Sequence, residues 1–317
     1  MSPVLNLLMF IISCGVLLFC GTVFIKSISK IAHFLRMGEF VVSFIIVGMA
    51  TSLPELLIGV TSAISKQPSL SLGNVIGANI ANLTLILGIP VILSKGINIP
   101  QKTIRKDSIY MFIIALIPLI LMYIGKSLSR IDGIILVVFF FIYCYVLIKQ
   151  RRGFHEKSKE YMSRKTITTY TLLFPLTLLG LYYSAEYTVK YASLISLDIG
   201  LPQIFIGLFI ISLGTTLPEL VVGLSAVAGK KSDILLGNIM GSVVANSTLV
   251  LGITALITPI TANLLIFFTS IAFMVIAAFL FLTFVESGNR LYWKEGVAMI
   301  LIYVFFIMIE FYVNQLI

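Results

Sequence analysis

Thr51-Ser52-Leu53-Pro54-Glu55-Leu56 returns 164 residues later as Thr215-Thr216-Leu217-Pro218-Glu219-Leu220. At the same offset Gly73-Asn74 becomes Gly237-Asn238, Gly77 becomes Gly241, and Ala81-Asn82 becomes Ala245-Asn246. Thr84-Leu85 and Leu87-Gly88 likewise return as Thr248-Leu249 and Leu251-Gly252. An apolar bias would explain a shared leucine, but not shared Pro-Glu and Gly-Asn pairs. The chain therefore reads as two copies of one unit, aligned without a gap.

The medium of that unit follows from composition. Of 317 residues, 59% are hydrophobic and 11% charged, and the mean hydropathy is +1.10. So much apolar surface needs lipid as its solvent. Apolar runs of about 20 residues, each enough for a helix to cross the hydrocarbon core, fill nearly the whole length. The net charge of +9 could suggest a nucleic-acid partner. Its basic residues, however, sit in short loops between apolar runs, as topology signals do, so no nucleic acid is expected. Cys14, Cys20 and Cys144 all fall inside apolar runs, a pattern of neither a disulfide framework nor a metal cluster. Residues 4–25 read as a retained first helix and not as a cleaved leader.

Loops are expected near 27–38, 65–69, 93–106, 125–131, 149–167, 192–202, 228–233, 258–263 and 286–294. Ten spans remain, near 4–26, 39–64, 70–92, 107–124, 132–148, 168–191, 203–227, 234–257, 264–285 and 295–316. Counting Lys26 and Lys190 at the span ends with the loops they adjoin, odd-numbered loops hold 18 of the 22 Lys and Arg residues and even-numbered loops the other 4. The positive-inside rule then puts the odd loops, including the linker 149–167, in the cytoplasm, and both termini outside. The expected fold is an all-α integral membrane protein of ten transmembrane helices. Residues 1–148 form the first five-helix repeat (motif 48–90) and 168–317 the second (motif 212–254). Because five is odd, the second repeat enters the membrane upside down. Inverted repeats mark secondary transporters, in which one central site is exposed to either side in turn.

The chemistry of that site lies in the repeated motif. Glu55 and Glu219 fall well inside apolar spans, where an ionised carboxylate costs about 2.5–3.5 kcal/mol on insertion scales. Brought together by pseudo-two-fold symmetry, they form a pair that a divalent cation would neutralise. Pro54 and Pro218 lack the N–H that would bond the carbonyl four residues back. They are expected to free the carbonyls of Ala50 and Gly214, with those of Thr51 and Thr215 nearby. Asn82 and Asn246 add amide oxygens, and Ser52, Thr216 and Ser242 add hydroxyls. These are hard oxygen ligands suited to Ca²⁺ or Na⁺. The blander alternative is that each glutamate simply bonds a neighbouring helix. Gly73, Gly77, Gly237 and Gly241 follow a small-x-x-x-small spacing and are expected to let helix backbones pack closely.

These motifs resemble those of the cation/Ca²⁺ exchanger superfamily, specifically its sodium/calcium exchanger branch in a minimal ten-helix prokaryotic form. Its repeats carry G-T-S-L-P-E followed by G-N-x-x-G-S-N-x-x-N/D. Here the first copy reads Ala50-Thr51-Ser52-Leu53-Pro54-Glu55 with Gly73-Asn74-Val75-Ile76-Gly77-Ala78-Asn79-Ile80-Ala81-Asn82. The second reads Gly214-Thr215-Thr216-Leu217-Pro218-Glu219 with Gly237-Asn238-Ile239-Met240-Gly241-Ser242-Val243-Val244-Ala245-Asn246. The resemblance implies exchange of Ca²⁺ for Na⁺ by alternating access, with no cofactor, in a monomer of the plasma membrane. It implies that the two glutamates and the threonine carbonyls hold Ca²⁺. Na⁺ would use the same glutamates with the hydroxyls and the Asn side chains, and the first and sixth helices would slide to switch access.

Ala78 departs from the pattern by replacing a serine, Thr216 by replacing another conservatively, and Asn246 by standing where many members have Asp. Three Na⁺ at a two-carboxylate site would leave one positive charge and one Ca²⁺ none, so three-for-one exchange would be electrogenic. The loss of a hydroxyl at Ala78 opens the possibility of fewer Na⁺, or of H⁺. Val75 and Ile239 follow the Gly-Asn pairs where the proton-coupled branch has acids, which favours Na⁺. Ca²⁺/H⁺ antiport, K⁺-dependent or monovalent exchange, and a cation channel remain as alternatives. An enzyme is not expected: both histidines, His33 and His155, lie in loops. Glu186 has no acidic counterpart in the first repeat and reads as a packing or interface residue. Glu310 reads as a solvated terminus, and Tyr292 and Trp293 beside Lys294 as an interfacial anchor.

Overall fold

The computed structural model describes residues 3–34, 48–99, 101–150, 164–261 and 264–315. The first apolar run forms α1 (Pro3–Phe34). The first motif builds α2 (Gly48–Thr51), α3 (Leu53–Ile64), α4 (Pro68–Ala81), a π-helical turn π1 (Asn82–Ile86) and α5 (Leu87–Leu93). A short strand β1 (Ile97–Asn98), α6 (Gln101–Gly125) and α7 (Arg130–Gln150) follow. The second half opens with α8 (Arg164–Ile199), then α9 (Gln203–Ile206) and π2 (Gly207–Ile211). Its motif builds α10 (Ser212–Thr215), α11 (Leu217–Ala228), α12 (Ser232–Ala245), π3 (Asn246–Val250) and α13 (Leu251–Ile257). The chain ends in α14 (Leu264–Ser287), β2 (Arg290–Leu291) and α15 (Trp293–Gln315).

The duplication is thus local structure as well as sequence. The bounds of α2, α3, α4, π1 and α5 recur 164 residues on as those of α10, α11, α12, π3 and α13. The connecting turns match too. Lys66 and Lys230 both take the left-handed conformation, with φ of 59° and 56°. Around them Gln67 N–H bonds Ser62 O, and Lys231 N–H bonds Ala226 O, each at 2.8 Å. Those six-to-one bonds close a helix C-terminus and reverse the chain in few residues.

Among the described residues, eight helical stretches are long and apolar enough to cross a membrane. The expected count is ten, and two expected spans account for the difference. The second, 39–64, is apolar in α3 for only 12 residues, and its part at 39–47 lies outside the described residues. The sixth lies in α8, where Thr177, Tyr182, Tyr183, Glu186 and Lys190 interrupt the apolar run. Linker residues 151–163, including His155, lie outside the described residues as well. Two boundaries differ from expectation. Helix α1 continues to Phe34 through the basic stretch, since Lys26 and Lys30 carry their charges to water on long stems. Helix α8 runs on to Ile199, and Gly200, with φ of 68°, ends it before Pro202.

Layering follows burial. In Pro68–Leu93, Gln203–Ala228 and Ser232–Ile257, 67–83% of the residues are buried, against 28–39% in the other five stretches. The repeated motifs therefore form the interior and the other helices its lipid-facing sleeve. Close approach in the interior depends on glycine. A side chain at Gly73 or Gly77 of α4 would strike the carbonyls of Ile204 or Leu208. Where sleeve meets interior, a Cβ at Gly88 would stand 2.7 Å from Gly296 O, and one at Gly133 2.7 Å from Gly252 O. Helices α1 and α8 pack along one another and share a core with Ala50, Ile58, Leu70, Ile206 and Ile211.

The loops sort into two groups. Strand β1 pairs antiparallel with β2, Ile97 facing Leu291, while Ser232 Oγ donates to Asn98 O at 2.6 Å and Arg105 to Gly288 O at 2.9 Å. These bonds join loops three, seven and nine. Separately, Leu128 bridges Ile260, Ser69 donates to Thr261 O, Ser193 bonds Gln67 and Asn6 donates to Asp198 at 2.7 Å. These join the N-terminal end with loops two, four, six and eight. Loops of one parity meet only their own kind in these bonds. A 26-residue stretch such as Pro68–Leu93, about 39 Å long as a helix, separates one group from the other.

One expectation is overturned. Glu310 is not a solvated terminus: it is fully buried, and Ser270 Oγ donates to its Oε1 at 2.7 Å. The face of α15 that carries it packs on α14. Glu186 is exposed on α8, and Tyr292 and Trp293 are exposed at the start of α15, as an interfacial anchor would be.

Candidate functional site

The helix break that builds the site is written at the prolines. Pro54 and Pro218 occupy the second position of α3 and α11, where a missing N–H costs nothing. Ser52 and Thr216 form the joints, with φ, ψ of −82°, 5° and −84°, −2°. Glu55 and Glu219 consequently fall in the first turns of two twelve-residue helices. The free N–H groups there offset a negative charge. The helix N-termini thus lessen, without cancelling, the cost of burying two carboxylates that have no basic partner among the described residues.

Every expected site residue is buried: Glu55, Glu219, Thr51, Thr215, Ser52, Thr216, Asn82, Asn246 and Ser242. Glu219 accepts from Ser242, which also lies 3.1 Å from Thr51, four residues before Glu55, so the two glutamates belong to one centre. Both oxygens of Glu55 and Oε2 of Glu219 have no hydrogen-bond partner. Nor do Oδ1 of Asn82 and Oδ1 of Asn246. Buried oxygens are ordinarily bonded, so this set of unfilled acceptors from four elements is the arrangement a cation would complete.

The two repeats hold one another across the centre. Thr51 Oγ1 donates to Asn238 Oδ1 at 3.2 Å, and Thr215 Oγ1 to Asn74 Oδ1 at 3.1 Å. Thr51 also lies 3.1 Å from Ser242 Oγ, and Ser242 donates to Glu219 Oε1 at 3.3 Å. Ser242 therefore stands between a threonine of one repeat and the glutamate of the other, its single hydroxyl hydrogen serving one acceptor at a time. Its counterpart is Ala78, fully buried, which gives Glu55 no such bond. Thr216 spends its hydroxyl hydrogen on Ser212 O at 2.9 Å, leaving its oxygen as a possible ligand. Asn82 and Asn246 stand at the first residues of π1 and π3, wide turns that often accompany functional sites.

Sequence reasoning missed four members of this network. Asn74 and Asn238 were legible as repeated Gly-Asn pairs, and the structure gives them threonine hydroxyls to accept. Asn79 stands on the second Asn of the motif quoted above, but neither it nor Ser247 is repeated, because Val243 and Leu83 stand at the equivalent positions. Asn79 Nδ2 donates to Ser247 Oγ at 2.9 Å, and Asn246 Nδ2 to Asn79 Oδ1 at 3.3 Å.

Known proteins share this layout. The sequence model of the family described as Sodium/calcium exchanger protein matches residues 5–149 and 169–312. Sodium/calcium exchanger MaX1 of Methanosarcina acetivorans is 27% identical, over 92% of this chain and 94% of its own. Uncharacterized membrane protein MJ0091 of Methanocaldococcus jannaschii is 29% identical, over 70% of this chain and 72% of its own. The solved structure of the sodium-calcium exchanger NCX_Mj, soaked with Na⁺ and Sr²⁺, superposes with a TM-score of 0.69 at 26% identity. It covers 97% of this chain and 99% of that one.

Proposed function

Since the chain belongs to the sodium/calcium exchanger family, whose members transport ions and are not enzymes, we propose that it exchanges Ca²⁺ for Na⁺ across the plasma membrane by alternating access. The observation that carries this reading is the central cluster of buried, unfilled oxygens around Glu55 and Glu219. Two carboxylates match the charge of one Ca²⁺, and the amide and hydroxyl oxygens supply neutral ligands of the kind hard cations take. Glu55, Glu219, Thr51 and Thr215 hold Ca²⁺ in this proposal; Ser52, Thr216, Ser242, Asn82 and Asn246 complete the places for Na⁺.

Ten crossings, in two inverted repeats, agree with the sorting of the loops. The N-terminal end bonds loop six, so the chain must cross twice before it reaches Gln67, which bonds the same loop. Helix α7 starts from an even loop and α8 ends in one, which supports placing the linker 149–167 on the opposite side in this proposal. With the positive-inside bias, that side is the cytoplasm and both termini are outside. The unit of transport in this proposal is a monomer.

The test is ⁴⁵Ca²⁺ uptake into proteoliposomes loaded with Na⁺ and diluted into Na⁺-free buffer, beside a matched pH-gradient arm. Glu219→Gln removes one charge from the pair and is expected to reduce uptake about a hundredfold, since an unmatched buried charge costs ~3 kcal/mol. Uptake driven only by the pH gradient would move the protein to Ca²⁺/H⁺ antiport with the same site. Undiminished uptake in Glu219→Gln would remove the carboxylate pair from the mechanism.

A further inference from the structure

An asparagine can serve a cation only when its amide is turned the right way. Oδ1 attracts the ion, whereas Nδ2 presents two N–H donors and repels it. Rotating the amide by half a turn exchanges the two atoms at almost no steric cost. A buried Asn ligand therefore needs something that holds its orientation, and a carboxylate in the same place would not.

The two central asparagines differ in this respect. Asn246 gives its Nδ2 to Asn79 Oδ1 at 3.3 Å, which leaves its Oδ1 as the buried atom without a partner. Asn79 is itself held, because its own Nδ2 donates to Ser247 Oγ at 2.9 Å. All three residues are fully buried, so water does not compete for these bonds. In the other repeat, Val243 and Leu83 replace Asn79 and Ser247. Accordingly, neither amide atom of Asn82 has a hydrogen-bond partner.

We propose that Asn79, anchored by Ser247, is a positioning residue that locks the Asn246 amide with its oxygen toward the transported cation. The inference rests on the central cluster being the cation site. It assigns Asn79 no contact with the ion. The lock acts on one half of the site only and makes the two halves unequal: Asn246 is a preset ligand, while Asn82 must be oriented by the ion itself. It also accounts for how an uncharged residue serves at position 246: the structure supplies the orientation that a carboxylate would not require.

A double-mutant cycle separates this role from simple packing. Km and Vmax for Ca²⁺ uptake into Na⁺-loaded proteoliposomes are measured for the unaltered protein, Asn79→Leu, Asn246→Asp and the double variant. Leucine keeps asparagine's branching at Cγ, though it is larger, and has no polar atom. Asn79→Leu is expected to raise Km about tenfold with Vmax within about twofold, whereas in the Asn246→Asp background it changes Km less than about twofold. Ser247→Ala, a smaller change that suits the same cycle if Asn79→Leu does not fold, is expected to raise Km about threefold in the Asn246 background alone. An equal fold-change in both backgrounds, or none in either, would overturn the positioning role while leaving the exchanger reading intact. Absence of gradient-driven uptake by the unaltered protein would overturn both.

Discussion

Thr51 of the first repeat donates its hydroxyl to Asn238 of the second at 3.2 Å. The bond has an image in Thr215 and Asn74 at 3.1 Å, so each Gly-Asn pair holds the threonine that precedes the other repeat's Pro-Glu. Threonine and asparagine here belong to helices that neither repeat could bring together alone.

The image is imperfect, and the imperfection has a measurable effect. Replacing Asn238 by Leu leaves Thr51 with Ser242 Oγ at 3.1 Å. Replacing Asn74 by Leu leaves Thr215 with no hydroxyl partner in the other repeat, since Ala78 offers none, and its own hydroxyl keeps Ser212 O of the same repeat at 3.2 Å. Asn74→Leu is expected to raise the Km for Ca²⁺ about fivefold more than Asn238→Leu does, the worth of one hydrogen bond. Equal losses in proteoliposome uptake would show that the Ser242 contact is immaterial to Thr51.

Ala78 also bears on how many Na⁺ ions are carried. Ala78→Ser restores a hydroxyl where the second repeat has Ser242, and its oxygen would face Glu55 as Ser242 faces Glu219. The expected outcome is a lower half-saturating Na⁺ concentration, by about fivefold, and a steeper Na⁺ dependence of Ca²⁺ release. A Na⁺ titration identical to that of the unaltered protein would count against a Na⁺ ligand at this position.

Protons and cations compete for the same carboxylate oxygens. In the proposed exchange, ionised Glu55 and Glu219 bind the cation and their protonated forms do not, so affinity would be full at alkaline pH and fall as the pH falls. Lowering the pH from about 8 to about 5.5 is expected to raise the Km for Ca²⁺, with uptake recovered at saturating Ca²⁺. Uptake that stays constant over this range at sub-saturating Ca²⁺ would contradict the competition.

Glu310 offers a control outside the centre. Its carboxyl is buried beside Ser270 on α14, away from the repeated motifs. Glu310→Gln keeps an oxygen for that hydroxyl, so transport is expected to continue and the melting temperature to shift by no more than a few degrees, within ~1 kcal/mol. Loss of Na⁺-driven uptake in a folded Glu310→Gln protein would make this carboxyl part of the transport path.

Much of the centre was legible because it occurs twice. A Pro-Glu pair repeated at one offset marks its carboxylates without any knowledge of packing, and all nine expected site residues are buried. The roles of Asn79 and Ser247 were illegible for the converse reason: each occurs once, and although Asn79 fits the motif, nothing local says that it meets Asn246. Glu310 was misread because nearness to the chain end says nothing about which helix face it occupies. Its burial depends on α14, which supplies Ser270 from 40 residues away.

By itself, the sequence determined what short-range chemistry and composition dictate. Lipid had to be the solvent, the chain had to be a duplication, and two carboxylates had to fall inside apolar spans. Proline and the turn residues act within a few positions, so the breaks at Ser52 and Thr216 were written locally. Only the tertiary structure decided what those breaks face. Thr51 meets Asn238 and Ser242, Asn246 meets Asn79, and Glu219 has a serine where Glu55 has none. Such pairings join residues from 23 to 191 positions apart, and hydrogen-bond geometry across that separation is set by helix packing, which no local pattern records.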